Sequence, residues 1–567
     1  MPLVKNFLKK RGTISLKIKI SKYLKRRNKL KPMRKLHFQK IVLLLVSFFP
    51  LLVAAQDTPP ASKGLDERIN EKFAPIANWW ERVVFFPVKF SESVQVPFVV
   101  ILLVAGALFF TLYFSFVNIR RFRLSINVVR GKYDHLDVHN APKKAEVNIV
   151  EGDIKRTIAD ESHHGEVNHF QALATAVSGT VGLGNIAGVA VAVSIGGPGA
   201  TFWMIVCGLL GMSSKFVECT LGVKYRDIDK NGVVYGGPMY YLSKGFKEMN
   251  MGGLGKVLAV LFAILCIGGS LGGGNAFQSN QATQQIVTML GMKGGSSGFI
   301  VGLIIAVLVG VVIIGGIKRI ATVTEKIVPF MALLYIVASL VIIFAHFPII
   351  DDAFALIIKE AFTPSAGLGG FAGVLIMGFR RAVFSNEAGA GSAAIAHSAV
   401  KTKYPASEGL VSLLEPFIDT VVICTMTALV IVIYNMNGAF TYGNPTVGGV
   451  DLTSAAYNDV IPHFSYVLTV AIVLFAFSTM ISWSYYGLQS WKFNFGRSKA
   501  YDHYYKIFLQ DFVVIGASAT LGAVIQFSDA MILAMVFPNM IGLFFLFPKV
   551  KEELNRYLKA IRESKNK

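Results

Sequence analysis

Residues 179–199 read GTVGLGNIAGVAVAVSIGGPG, an apolar stretch interrupted by glycine near its start. Four glycines fall within residues 179–188. Each costs about 1 kcal/mol relative to alanine inside a helix, so the stretch makes a poor continuous one. Residues 378–398, GFRRAVFSNEAGAGSAAIAHS, repeat the pattern, with polar residues and glycines in the middle of an apolar run. Around these two interruptions lie unbroken apolar runs. Residues 96–116, 257–274 and 298–316 each approach the roughly 20 residues that cross a bilayer as a helix. Lipid offers the backbone no hydrogen-bond partner, so such runs read as helices. The period-2 alternation of a membrane barrel is absent. The fold class is an all-α polytopic membrane protein. Composition agrees: 53% of residues are hydrophobic and 16% charged, against about a quarter charged in soluble domains. The mean hydropathy is +0.54.

The net charge of +22 invites a nucleic-acid reading. Its placement, before residue 40 and in short loops between apolar runs, instead fits cytoplasmic loops and contact with anionic lipid. The expected partners are therefore the bilayer and a small ligand, with no nucleic acid. Cys207, Cys219, Cys266 and Cys424 all lie in apolar runs without metal-ligand spacing, as buried thiols do. Residues 33–57, MRKLHFQKIVLLLVSFFPLLVAAQD, have the basic start, short apolar stretch and small residues of a secretory signal. Residues 1–56 read as a basic leader and cleaved signal peptide, with Met33 as the expected start. An uncleaved anchor is the rival reading. Residues 57–94 form a periplasmic or interfacial segment, with Trp79 and Trp80 as belt residues.

Eleven transmembrane helices are expected, over 95–118, 169–195, 198–223, 256–290, 298–316, 322–346, 370–397, 408–434, 464–490, 506–526 and 529–548. Loop charge tests the count. Arg120, Arg121, Arg123, Arg130 and Lys132 make the 119–168 loop cytoplasmic, and every second loop thereafter is basic, ending in the 549–567 tail. The opposite loops are acidic or neutral, apart from a lone Lys293. The N-terminus is then outside and the C-terminus cytoplasmic, in a bacterial inner membrane. Each interruption opens a set of five spans, 169–346 and 370–548, and an odd number of spans per half inverts one half against the other. Paired interruptions in two halves point to a transporter built from inverted repeats. Unwound helices expose amides that favour a carboxylate and carbonyls that suit a hard cation. The bland alternative is that these glycines only allow close helix packing.

The stretches GTVGLGNIAGVAVAVSIGGPGATFWM, GGPMYYL, GGGNAFQSNQ and FRRAVFSNEAGAGSAAIAHSAVKT closely resemble the alanine or glycine:cation symporters, within the wider leucine-transporter-fold group. The resemblance runs from about residue 95 to 548. It implies a leucine-transporter-like 5+5 inverted repeat with discontinuous first and sixth core helices, preceded by one extra span, 95–118. It also implies import of alanine or glycine driven by sodium. On that footing, Thr180, Gly182 and Gly184 hold the substrate carboxylate. Asn185 supports the unwound segment or the amino group, and Phe384 and Asn386 meet the ammonium. Thr479 and Trp483, four apart on one helix face, line the pocket, with the indole limiting side-chain size. Gln278 and Gln281 face the same region, or pack against a neighbouring helix. The sodium site joins carbonyls of Ser178 and Val181 to the hydroxyls of Ser478 and Thr479, unless those hydroxyls bond their own helix.

Charges at membrane depth default to functional hypotheses. Glu218 resembles a glutamate that braces the second interruption, and Glu387 braces the broken helix or carries a proton. Arg380 and Arg381 are expected at an external gate, with Glu415 and Asp419 as candidate partners. The runner-up is proton coupling through Glu387 or His397. An enzyme lacks an interpretable catalytic constellation here, and a channel lacks a filter loop with subunit symmetry. Oligomeric state stays open.

Overall fold

The computed structural model describes residues 64–90, 95–137, 165–229, 232–314, 316–362, 370–443 and 448–566. The leader and signal expected over 1–56 lie outside the described residues, as does 138–164 of the expected cytoplasmic loop. Helix α1 (Leu65–Val84) leads through an antiparallel hairpin, β1 (Pro87–Lys89) and β2 (Gln95–Pro97), into α2 (Phe98–Tyr113). The hairpin pairs Val88 with Val96. Two short helices, Val117–Arg120 and Phe122–Val129, follow α2, and then come α3 (His169–Thr180) and α4 (Gly184–Gly196), bent by 50° at their junction, and α5 (Gly199–Lys224). A second hairpin, β3 (Asp227–Ile228) and β4 (Val234–Tyr235), precedes α6 (Pro238–Glu248). Helices α7 (Gly252–Leu290), α8 (Ser297–Ile313), α9 (Gly316–Ala345) and α10 (Ile350–Phe362) follow. The remaining helices are α11 (Gly370–Asn386), α12 (Ala393–His397), α13 (Pro405–Asn435), α14 (Gly449–Val460), α15 (Phe464–Phe495), α16 (Lys499–Ser518) and α17 (Leu521–Lys565).

Local sequence explains where these elements start and bend. Asn168 and Gln171 form a capping box at α3: the Asn168 side chain accepts from the Gln171 amide at 2.8 Å, and the Gln171 side chain accepts from the Asn168 amide at 3.2 Å. Within α13, Pro416 lacks an N–H and crowds the preceding turn. The π-helical stretch Phe417–Cys424 follows it and carries Asp419. On α9, Phe330, Leu333, Val337, Val341 and Phe344 are exposed, while Met331, Tyr335, Ala338 and Ile342 are buried. That is a helix with one face in the protein and an apolar face outward, as lipid requires.

Among the described residues, six helices (α5, α7, α9, α13, α15 and α17) are long and apolar enough to cross a membrane, and the bent α3–α4 pair makes a seventh. Helices α2 and α8 are apolar but shorter. The interior is organised around two of the long helices. Helix α15 packs against α3, α7 and α9, while α5 packs against α2, α11, α12 and α13. The last two helices depart from the expected spans of 506–526 and 529–548. Helix α16 begins at Lys499 and ends at Ser518, and α17 starts at Leu521. Those spans put the turn between residues 526 and 529, with Asp529 at the outer edge of the last span. Asp529 is instead fully buried inside α17, where Arg380 and Arg381 neutralise it.

Candidate functional site

The first interruption is a true helix break. Helix α3 ends at Thr180, Val181 leaves the helical region at φ −76°, ψ 85°, and a π-helical turn over Gly184–Gly188 opens α4. The freed amides are taken up by side chains. The Gly182 amide donates to the Asn185 carboxamide oxygen at 3.0 Å, and the Leu183 amide donates to Gln278 Oε1 at 2.9 Å. The second break follows Asn386. Glu387 takes a left-handed conformation (φ 58°), and Gly389 and Gly391 follow at φ 88° and 89°. A non-glycine residue held there stores strain, of the order of 1–3 kcal/mol, that the surroundings must impose. Ser392 donates to the Glu387 carboxylate, and the Asn386 side chain accepts from the Ala388 amide at 2.9 Å. Glycine is needed at 391 for space as well, since a Cβ there would lie 2.8 Å from Pro238.

The two breaks meet on one buried carboxylate. Asp419 accepts from the Asn185 carboxamide at 2.7 Å and from the Ser385 hydroxyl at 3.1 Å, with Thr420 donating to its other oxygen at 2.7 Å. Asn386 reaches the same cluster by donating to Thr420 at 2.9 Å. A Cβ on Gly184 would stand 3.5 Å from Phe384 and from Ser385. Gly184, Asn185, Phe384, Ser385 and Asn386 therefore form one neighbourhood. The expected pairing of Asp419 with Arg380 or Arg381 is corrected: Arg380 binds Glu81 at 2.8 Å and Asp529 at 2.6 Å, and Arg381 also binds Asp529.

Helix α15 supplies the other wall. Thr479 donates to the Ser178 carbonyl at 2.9 Å, and a Cβ on Gly182 would lie 2.3 Å from the Thr479 hydroxyl and 3.0 Å from Gln278 Oε1. Gly182, Gln278 and Thr479 are thus in mutual contact, next to Val181 at the end of α3. Ser478 follows the alternative of bonding within its own helix. Its hydroxyl donates back to Phe475 at 3.0 Å on its own helix. Ser482, one turn on, reaches the Ser178 hydroxyl at 3.0 Å instead. Residues 478 and 482 share a helix face, so the Ser482 contact was open to the same spacing argument. Thr180 likewise bonds its own helix, to Ala176 and Val177.

Sequence reasoning missed a third deformation. Gly272–Ala276 forms a π-helical turn within α7, and Asn275 closes it by donating to the Ser270 carbonyl at 2.6 Å. Trp483 lies against one side of it: a Cβ on Gly274 would stand 2.4 Å from the tryptophan side chain. Phe384 lies at the other, 3.2 Å from a Cβ on Gly273, with its ring 4.9 Å from that of Phe277. Three consecutive glycines were the available signal. Gln281 does not join this centre. Its carboxamide oxygen accepts from the Val450 amide at 2.9 Å, farther along α7.

Buried charges brace the breaks from behind. Asn539 donates to Glu218 at 2.8 Å and to the Gly389 carbonyl at 2.9 Å, so Glu218 reaches the second break through it. A continuous chain then runs inward. Glu408 takes His169 on one oxygen and His397 on the other (2.6 Å), His397 meets Glu415 at 3.3 Å, and Glu415 meets Lys215 at 3.2 Å. The segment entering α3 is bonded to the one leaving α12: the Lys401 amide donates to the Val167 carbonyl at 2.8 Å, and the Glu166 amide to the Ala399 carbonyl at 2.8 Å. Arg226 donates to the carbonyls of Ser398 and Thr402 at 2.8 and 3.0 Å. Asp137 accepts from Lys403 and Thr402 at 3.0 Å each, and burial pushes its carboxyl above the ordinary carboxylate range.

Long apolar helices around a buried polar centre mark an integral multi-pass membrane protein, and its family and relatives make it a transporter rather than an enzyme. The chain belongs to the sodium:alanine symporter family, whose model matches residues 82–567. It is 38% identical over 465 residues to the sodium/alanine symporter AgcS of Methanococcus maripaludis, covering 81% of this chain and 94% of that protein. An uncharacterized transporter of Haemophilus influenzae is 39% identical over 411 residues, 71% of this chain and 86% of the other. The probable sodium/glutamine symporter GlnT of Bacillus subtilis is 33% identical over 470 residues, 82% and 89% of the two chains. The solved structure of MhsT with L-phenylalanine covers 70% of this chain and 99% of its own at 15% identity and a TM-score of 0.44, a likeness too slight to bear on the fold. Family membership makes the protein a cation-coupled amino-acid transporter.

Proposed function

We propose that the protein imports alanine or glycine together with sodium, by alternating access between two inverted five-helix halves, 169–346 and 370–548, with 95–118 as an extra span. The observation that carries this reading is the meeting of both helix breaks on one buried polar centre, through Asn185, Asp419 and Ser385. The amino acid's carboxylate docks on the amides of Gly182 and Gly184, displacing the Asn185 oxygen from Gly182, and its ammonium faces Phe384 and Asn386. Sodium is carried between the Ser178 and Val181 carbonyls and the Thr479 hydroxyl. The approach of Thr479 to the Ser178 carbonyl supports that placement, because neutral oxygens suit a hard monovalent cation. In Methanococcus maripaludis the relative is named for sodium and alanine, which favours the same pair here.

A second reading, proton coupling, is favoured by the buried chain from His169 to Lys215. A Bacillus subtilis relative, 37% identical over 335 residues, is named a putative sodium/proton-dependent alanine carrier.

The substrate class is tested by competition against uptake of radiolabelled alanine. Unlabelled glycine and alanine are expected to compete, and leucine is not, because Trp483 is only 2% exposed and closes the side-chain end of the site. Trp483→Ala is expected to let leucine compete, at a stability cost of about 3–5 kcal/mol from the cavity left behind. Unchanged selectivity in that variant would move the pocket elsewhere. For the ion, Thr479→Val is expected to raise the half-saturating sodium concentration about tenfold, equivalent to about 1.4 kcal/mol. An unchanged sodium requirement refutes the placement of the ion.

A further inference from the structure

A cavity of about 450 Å³ lies apart from the helix breaks. It is bounded by the start of α1, the far half of α7, the loop after it, the first turn of α14 and the α16–α17 turn. That volume is within the roughly 300–1,000 Å³ of small-molecule sites. Three observations mark it as more than a gap between helix ends. Lys293, on the loop between α7 and α8, lines it, and no acid pairs with it among the described residues. Asp451 lines it too, its carboxylate oriented by Gln284 at 3.1 Å and Thr288 at 3.3 Å but facing no cation among the described residues. The Thr283 hydroxyl, on a residue 2% exposed, lines the same cavity with no hydrogen-bond partner. A buried hydroxyl without a partner is costly, so the cavity has unmet demand for a polar ligand. The other acid, Asp66, is already engaged: it accepts from the Gly298 and Phe299 amides at 3.0 Å each and caps α8.

We propose that this cavity is an outer binding site for a small zwitterionic amino acid, with its carboxylate on Lys293 and its ammonium on Asp451. An unpaired cation and an unpaired anion in one small cavity match a zwitterion, whereas a simple anion or cation would leave one of them unmatched. The near edge of the cavity lies just under one turn along α7 from Gln278 of the proposed transport site, while Gln284 and Thr288, which hold Asp451, lie six and ten residues past Gln278. Gln281 at its floor follows Gln278 by three residues, about 4.5 Å along the helix. The inference rests on the reading that the substrate is an amino acid.

Thiol labelling of the purified full-length protein in detergent tests it. Cys207, Cys219, Cys266 and Cys424 are all buried, so a cysteine placed in the cavity at Val287 is the accessible one. Alanine is expected to slow modification of V287C by a charged thiol reagent several-fold. That protection is expected to persist when Gly182→Val fills the inner site, and to vanish with Lys293→Gln or Asp451→Asn. Protection that disappears with Gly182→Val but survives Lys293→Gln would overturn the proposal. Should V287C not fold, equilibrium binding of radiolabelled alanine takes its place. A stoichiometry of two per protein, falling to one in Lys293→Gln, is expected, and a stoichiometry of one from the start refutes it. Alanine that is transported without protecting V287C refutes the outer site alone, and alanine neither transported nor bound refutes the amino-acid reading with it.

Discussion

Gly182→Val is expected to lower alanine uptake about a hundredfold or more while the protein still folds, since misplacing aligned groups by about an ångström costs rates of that order. The added Cβ would lie 2.3 Å from the Thr479 hydroxyl and 3.0 Å from Gln278 Oε1, so both must move. Each of them holds the first break, Thr479 through the Ser178 carbonyl and Gln278 through the Leu183 amide. Overpacking of this kind costs about 1–3 kcal/mol, well below the roughly 5–15 kcal/mol that holds a domain folded. The substitution should therefore separate function from folding. Uptake into proteoliposomes, alongside the melting temperature of the same preparation, checks it. Uptake within twofold of the unsubstituted protein would mean that Gly182 is a packing glycine only.

Lys215→Met is expected to act in the opposite way, through stability first. Lys215 and Glu415 are both fully buried, with the ammonium 3.2 Å from the carboxylate. Removing the cation leaves Glu415 facing His397, at 3.3 Å. Breaking a buried pair from one side costs about 3–5 kcal/mol, because the remaining charge is stranded away from water. Thermal unfolding of the detergent-solubilised protein should show a large drop in melting temperature. The double variant Lys215→Met/Glu415→Gln should recover much of it, since no net charge is then stranded. A single variant as stable as the parent would show that the chain from His169 to Lys215 is not charged as drawn.

Much of this site is legible in sequence because the signals are local. Four glycines around Asn185, and Asn386-Glu387 ahead of two glycines, announce that an apolar run cannot remain one helix. The four-residue spacing of Thr479 and Trp483 announces a shared face. What hides is the identity of neighbours across helices. Asp529 reads as the loop boundary of the last span until Arg380 and Arg381, about 150 positions away, are seen to bury it with them. Asp419 reads as a partner for those arginines until Pro416 is seen to throw α13 into a π-helical stretch beside both breaks. Periodicity reports which way a side chain faces and says nothing of what stands opposite. Ser478 and Ser482 illustrate the same limit. Both lie on the correct face, and only the depth of α3 against α15 decides which hydroxyl reaches Ser178.

The most direct test of sodium-coupled import is uptake of radiolabelled alanine into proteoliposomes under an imposed sodium gradient, and then under a proton gradient alone. Uphill accumulation with sodium, and none with protons alone, is the predicted result. Accumulation driven by protons alone would contradict it and transfer the coupling role to the buried chain containing His397.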